Sequence, residues 1–415
     1  MPGGQLTWSI NVSRGTIEGD DIMMLASVLY TLLSVLLNGI YYYNVVTSLF
    51  TIKSIKHKQT YSYDRERKET FIILIPCHNE QSVIQKNLTA ISKSTYDKSL
   101  YSVYVIADNC TDNTVAKVKE FMSAAPGMNI EVLEVKGGTK PKAINKAIQE
   151  LKKRGEWNED NIVFLDADNQ CSPKMLESFN YYHKYNAIVQ CRIESENADN
   201  IVSRGFKSAF NNMRYGFQLA RNNMGLSGSL CGTGFSVNRE VFDEVGFEDC
   251  TTLTEDLEFS IKAILAGYKI KFIDEQYVLN QNVSKTIPSL KQRLRWNRGH
   301  SQTMMKLAPG LLKAFIKKPS LQIFDTIIFL CTPAKSVLYL LMLLLQFTAI
   351  AGGSYMAPVL FAISLLYQFT FCLLCNDWKV SYIIPFVKYA IEMIPLMVYG
   401  ALTYKKTIWV KTEHK

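Results

Sequence analysis

An α/β domain built on a mostly parallel sheet, flanked by membrane-spanning and interfacial helices, is the fold class this sequence predicts. Three observations carry that prediction. Short buried-strand runs alternate with helical patterns between residues 70 and 165, as in βαβ units. The stretch from Ile22 to Ile52 contains no charged residue, and it is longer than the ~20 apolar residues that a span needs. Apolar residues dominate again from about 321 to 404.

In chain order, residues 1–21 are polar, carry Asp20 and Asp21, and read as an extracytoplasmic segment. A transmembrane helix is expected over 22–52. A cleaved signal peptide fits poorly, because the leading region is acidic and the apolar stretch too long. Lys53, Lys56, Lys58, Arg65, Arg67 and Lys68 follow at once. The positive-inside rule then places the central domain, 60–300, on the cytoplasmic side of a plasma membrane.

Within that domain Phe71–Pro76, Tyr101–Ala107, Ile130–Val135 and Ile162–Leu165 read as strands, with helices at about 82–92, 112–123 and 140–153. Ligands of such sheets bind outside the carboxyl ends of the strands. His78-Asn79-Glu80, Asp108-Asn109-Cys110 and Asp166-Ala167-Asp168 fall there. Residues 301–320 form a basic amphipathic stretch suited to the membrane interface. Apolar segments at about 321–351, 355–375 and 380–404 complete a multi-pass protein, and the tail, 405–415, is basic. Three C-terminal spans put that tail outside, against the charge rule. One segment is therefore expected to be interfacial, re-entrant or split at Pro333. Lys388 and Glu392, at i and i+4, turn the last segment toward protein or the interface.

The 415 residues are 48% hydrophobic and 20% charged, with a net charge of +9. Much of the basic excess flanks apolar segments, which suits a membrane surface and argues against nucleic acid. The nine cysteines are scattered without paired CxxC spacing, so neither a zinc site nor a disulfide framework is expected.

Asp166 and Asp168 follow a short strand, where alternate side chains share a face. Two carboxylates plus diphosphate oxygens make an all-oxygen shell for Mg²⁺ or Mn²⁺; an Asx turn with a helix cap is the other reading. Asp108 and Glu80 suit hydrogen bonds to a base or ribose, or serve as loop caps. Lys140 and Lys142 open a helix beside Pro141, where an anion or plain solvent is expected. Thr254-Glu255-Asp256 caps a helix, or supplies a general base, Asp256, to an acceptor hydroxyl. Cys231-Gly232-Thr233-Gly234 is a small-residue loop, either a tight turn or a place of close backbone approach. Gln292-Arg293-Leu294-Arg295-Trp296 combines guanidinium forks for phosphate with an indole for a sugar ring; a basic helix on lipid headgroups is the competing reading.

Asp108 in VIADNCTDNT, Asp166 and Asp168 in FLDADNQ, Asp256 in LTEDLEF and QRLRW at 292–296 together resemble the membrane-embedded family 2 glycosyltransferases. Cellulose, poly-N-acetylglucosamine and hyaluronan synthases belong to that group. The similarity runs in order from about 70 to 300, between hydrophobic flanks. It implies a nucleotide-sugar-binding domain of the GT-A kind in a bacterial plasma membrane. The nucleotide-sugar set is then Glu80, Asp108 and Asp166, to which the helix start adds Lys142. Asp168 is the implied metal ligand, for Mg²⁺ or Mn²⁺, and Asp256 the implied base. Cys231, Gly232, Glu255, Gln292, Arg295 and Trp296 form the expected acceptor and diphosphate set. Trp409 to His414 looks like the W-x-x-T-x-H tail of bacterial relatives.

The expected activity is inverting transfer from a UDP-sugar to a growing β-linked polysaccharide, coupled to export. Membrane lipids and accessory export or polysaccharide-modifying proteins are the expected partners. One N-terminal span and no cyclic-dinucleotide domain set the chain apart from larger synthases. Ceramide glucosyltransferases share a related acidic and (Q/R)xxRW set with one N-terminal span. Single addition to a lipid acceptor is therefore the alternative.

Overall fold

The computed structural model describes residues 10–12, 15–17, 19–52, 63, 68–332 and 335–406. A small hairpin, β1 (Ile10–Val12) and β2 (Gly15–Ile17), precedes the long helix α1 (Gly19–Leu49). The catalytic-domain candidate then runs β3 (Phe71–Cys77), α2 (Ile84–Ser92), β4 (Tyr101–Asp108), α3 (Thr114–Ala124), β5 (Ile130–Val135), α4 (Lys140–Arg154) and β6 (Asn161–Phe164). All four predicted strands and three predicted helices are present, with ends shifted by a residue or two.

β7 (Gln170–Cys171), α5 (Met175–His183) and β8 (Ile188–Ser195) follow. Next come α6 (Ile201–Met213), a π-helical turn over Arg214–Leu219, α7 (Ala220–Asn223), β9 (Phe235–Asn238), α8 (Arg239–Val245), α9 (Glu255–Leu265) and β10 (Ile270–Asn280). The chain ends in helices: α10 (Thr286–Lys317), α11 (Leu321–Cys331), α12 (Lys335–Ala351), α13 (Ala357–Cys375) and α14 (Ile383–Leu402).

Eight strands form one sheet in the order β5-β4-β3-β6-β9-β8-β10-β7. β3 to β6 are mutually parallel, and β8 is parallel to β10; β9 runs antiparallel to both β6 and β8, and β7 to β10. Continuous apolar strands arise because both faces are covered. Phe71, Ile73 and Ile75 enter one core with Val103 and Val163, while Ile72 and Leu74 enter another with Tyr104 and Ile162. This stacking puts the ends of β3, β4 and β6 along one edge.

Among the described residues three helices are long and apolar enough to cross a membrane: Ser27–Leu49, Ala357–Cys375 and Val380–Leu402. The predicted segment 321–351 is two helices, α11 and α12. Pro333 lies outside the described residues, as do Lys53 to Arg67 apart from Tyr63, and the tail motif 409–414. The predicted interfacial stretch is no separate element. It is the second half of α10, continuous with QRLRW.

A buried ion pair locks this apolar part to the domain. Arg221 and Asp325 meet at 2.9 Å, both almost fully enclosed, and Tyr43 of α1 donates its hydroxyl to Asp325 at 2.8 Å. Neither charge tolerates loss of the other, because an uncompensated charge would be left in apolar surroundings.

Candidate active site

A cavity of about 500 Å³ opens at the carboxyl edge of β3, β4 and β6 and is roofed by α10. Eleven of the twelve expected residues line it: Glu80, Asp108, Asp166, Asp168, Cys231, Gly232, Glu255, Asp256, Gln292, Arg295 and Trp296. Lys142 does not. It is exposed on α4 and points away. Lys140, one residue before Pro141, takes the place expected of it.

The strand ends are shaped by two asparagines in left-handed backbone, Asn79 (φ 60) and Asn109 (φ 50), a conformation asparagine tolerates better than most residues. The amide oxygen of Asn79 accepts from Thr111 N at 2.7 Å, joining the β3 and β4 loops. Asp108 turns its carboxylate to the backbone: Oδ1 accepts from Gly137 N at 2.6 Å and Oδ2 from Gly138 N at 2.9 Å. It thereby fixes the loop that delivers Lys140. A Cβ on Gly137 would stand 2.5 Å from Ala143 N, so only glycine allows this approach.

Asp166 and Asp168 straddle buried Ala167 and face the cavity together. Asn87, itself buried, donates to the carbonyls of Asp166 and Asn169 at 3.0 and 2.7 Å and holds the turn. Burial, then the neighbouring Asp166, pushes the Asp168 carboxyl up to about 7. Lys140 Nζ lies 2.7 Å from Asp166 Oδ1, 2.8 Å from Gly232 O and 3.4 Å from Glu255 Oε1. Burial pulls this ammonium down, but Asp166 and Glu255 outweigh it and hold it charged above its usual range.

Asp256 sits in the first turn of α9. The capping expected of Thr254 is absent: its side chain makes no cap bond and meets the Thr303 hydroxyl at 3.3 Å instead. Fully buried Glu258 shapes the entry to the helix, accepting from Thr251 N and Thr252 N at 2.9 Å and pairing with Lys306 of α10. Burial and Glu255 push the Asp256 carboxyl up to about 7, opposed by Lys140. Burial, then Asp256, raises the Cys231 thiol to about 12, so it stays protonated and is no nucleophile. Gly232 adopts φ +78, a left-handed conformation that favours glycine, and its Cα side adjoins Asp256, where a Cβ would make ordinary contact with Oδ2 at 3.5 Å.

On α10, Gln292, Arg295, Trp296 and His300 share the cavity face at helical spacing. Arg293 lies on the other face, buried and paired with Glu392 at 2.5 Å. Arg295 Nε is buried without a hydrogen-bond partner among the described residues. Trp296 packs edge-on against Phe206 and Phe210, with ring centroids 6.1 and 6.3 Å away. Gly299 permits α10 to touch the start of α9, since a Cβ would come 2.6 Å from Thr254. Asn87, Glu258 and His300 are not among the sequence candidates, and of the two lysines expected at the helix start only Lys140 reaches the cavity. For Lys140 a signal existed: it shares the helical stripe of buried Ala143, Ile144, Ala147 and Leu151.

Two family models match the chain, glycosyl transferase family 2 over residues 72–246 and glycosyl transferase family group 2 over residues 161–373. A probable glycosyltransferase, YdaM of Bacillus subtilis (strain 168), is 27% identical over 270 residues, 63% of this chain and 61% of the relative. Poly-beta-1,6-N-acetyl-D-glucosamine synthase of Staphylococcus aureus (strain COL) is 25% identical over 261 residues, 61% of this chain and 59% of that one. The chain thus spans about three fifths of the length of these relatives. In solved structures, the mannosyltransferase PcManGT from Pyrobaculum calidifontis, in complex with GDP-Man and Mn²⁺, shares the fold at a TM-score of 0.61 and 16% identity, covering 91% of this chain and 100% of that one.

Proposed function

This chain belongs to glycosyl transferase family 2 and is a sugar-transferring enzyme, and we propose that it moves a sugar with inversion from a UDP-sugar to an acceptor hydroxyl held at the membrane edge. The observation that carries the proposal is the single cavity that joins Asp166 and Asp168 to Asp256 beneath Arg295 and Trp296. UDP is the nucleotide implied by the family resemblance.

Asp166 and Asp168 fit a divalent cation, Mg²⁺ or Mn²⁺. Both face one cavity and offer carboxylate oxygens to it; burial, then Asp166, pushes the Asp168 carboxyl up to about 7, with Lys140 opposing. Among the described residues no group of three or more metal-ligating side chains exists. The remaining ligands would be diphosphate oxygens, as suits a cation that arrives with its nucleotide. Once bound, it neutralises charge on the leaving diphosphate.

The protein supplies the rest. Glu80 and Asp108 border the nucleoside end of the cavity. Lys140 and the unpaired Nε of Arg295 face the diphosphate. Asp256 takes the proton of the acceptor hydroxyl as its oxygen bonds to the anomeric carbon. The bond from that carbon to the phosphate oxygen breaks, and the nucleoside diphosphate leaves with the electron pair. Glu255 is tied to Lys140, which leaves Asp256 as the base. One base and one displacement invert the anomeric centre, unlike the two-carboxyl hydrolases.

A growing β-linked polysaccharide is the acceptor favoured by the likeness to the Staphylococcus synthase. A second reading, addition to a glycolipid, is favoured by an apolar cavity adjoining the first. The apolar helices support a multi-pass membrane protein, and the basic residues that follow Ile52 in the sequence favour a cytoplasmic catalytic domain. Purified protein with radiolabelled UDP-glucose or UDP-N-acetylglucosamine and Mg²⁺ or Mn²⁺ tests the reading by product sizing. Absence of turnover with every nucleotide sugar would sink it.

A further inference from the structure

Beyond Trp296 lies a second cavity of about 510 Å³, sharing Met213, Trp296, His300 and Phe329 with the first. One wall is a stripe along α14: Phe386, Tyr389, Met393, Met397 and Ala401. At 1.5 Å per residue this stripe runs about 22 Å, most of the length of a helix apolar enough to span a bilayer. The cavity is therefore elongated along α14 and adjoins the first cavity at Trp296.

Its Asn, Ser, His and Arg side chains are each held to the protein by at least one hydrogen bond or ion pair. The amides of Asn44, Asn212 and Asn297 donate to the carbonyls of Ile40, Ser208 and Arg293 four residues back. The Ser301 hydroxyl donates to Asn297 O, and His300 Nε2 lies 2.7 Å from Leu330 O. Arg221 is consumed by Asp325. What remains toward the cavity is mainly thioether, aromatic and aliphatic surface. A glycan presents hydroxyls that need donors as well as acceptors, and unmet ones cost free energy. A hydrocarbon chain makes no such demand, and flexible Met side chains mould to it.

We propose that this second cavity receives the hydrocarbon chain of a lipid-borne acceptor, whose hydroxyl-bearing head lies under Trp296; this rests on the transfer reading above. The reacting hydroxyl then reaches Asp256 from the membrane side, opposite the nucleotide. The head is a lipid alcohol or a sugar already attached to the lipid.

The test uses the full chain in nanodiscs with Mg²⁺, the UDP-sugar it turns over, and alkyl β-glucosides of increasing chain length. The acceptor KM should fall about fourfold per added methylene while the chain is being buried, and Met397→Trp, which blocks the stripe, should flatten the series. A KM independent of chain length, with soluble oligosaccharides accepted equally well, would overturn the proposal and give the cavity to a polysaccharide. On the wild-type protein, a glucoside with a photoreactive alkyl chain should cross-link within 386–401 and 296–304. Cross-linking there without any chain-length effect on KM would mark bulk lipid as mere filler and also overturn it. Turnover of any nucleotide sugar with any of these acceptors reports the transfer reading separately. Its absence alongside chain-specific cross-linking would remove that reading and leave the lipid site standing.

Discussion

Arg293 and Glu392 meet at 2.5 Å across α10 and α14, with the guanidinium also stacked 4.6 Å from the Tyr389 ring centroid. The two arginines of QRLRW thus divide their work: Arg293 fastens the roof to the last apolar helix, and Arg295 faces the cavity. Arg293→Ala should destabilise the fold by the lower part of the ~3–5 kcal/mol typical of a broken buried pair, because Glu392 keeps Lys388 as a partner. Arg295→Ala should leave the melting temperature nearly unchanged and cut transfer by about 10²–10³. Thermal melts and rates on the two variants check this. Equal melting losses in both would refute the division.

Asp256→Asn should lower transfer by about 10²–10⁴ while UDP binding, followed by calorimetry, stays close to wild type. Full activity in the variant would rule out the base.

The pH profile follows from the same carboxyl. Asp256 is raised to about 7, and as the proposed base it would work only when ionised. Transfer should fall about tenfold per unit as pH drops below about 7, and level off above it. The sign for stability is opposite. A raised carboxyl favours the protonated fold, so its contribution is complete below the ordinary carboxylate range and is lost as pH rises through about 7. A flat rate between pH 5 and 8 would contradict the assignment.

Lys140 lowers the pKa of Asp256. Lys140→Met should shift the acid limb of the rate profile to higher pH and weaken UDP binding. Lys142→Met, on the exposed side of α4, should change neither. An unshifted limb in Lys140→Met would show that the ammonium does not act on the base.

Gly299→Ala drives a Cβ into Thr254, two residues before Asp256. Overpacking of this kind costs about 1–3 kcal/mol, and transfer should fall with it. Gly39→Ala in α1, with open space around its Cβ, is the control and should melt like wild type.

The legible parts of the fold were those whose signal is local. β3, β4, β5 and β6 announce themselves as apolar runs because both faces are buried. β8 and β10 mix Gln190, Arg192, Asp274 and Glu275 with apolar residues, and their pairing spans some eighty residues of chain, so no local pattern reveals them. The acidic motifs were legible because each ends a strand or starts a helix. The choice between Lys140 and Lys142 needed phase: two residues apart on a helix is a rotation of about 200°. Only alignment with buried Ala143 and Ala147 tells them apart. Thr254 misled because a capping sequence does not reveal that Thr303 of another helix takes the hydroxyl.

α10 carries both the roof, through Arg295 and Trp296, and the clamp on the base loop, through Gln302, Thr303 and Lys306. It is one rod of 32 residues, with its far end in the amphipathic stretch read as interfacial. Lys140 in turn joins Glu255 to Asp166, and Phe259 of α9 shares a core with Phe164 of β6. Roof, base and sheet carboxylates are thus one continuous chain of contacts, so a substitution at a remote link such as Thr303 or Lys306 reaches the reacting groups without lining the cavity.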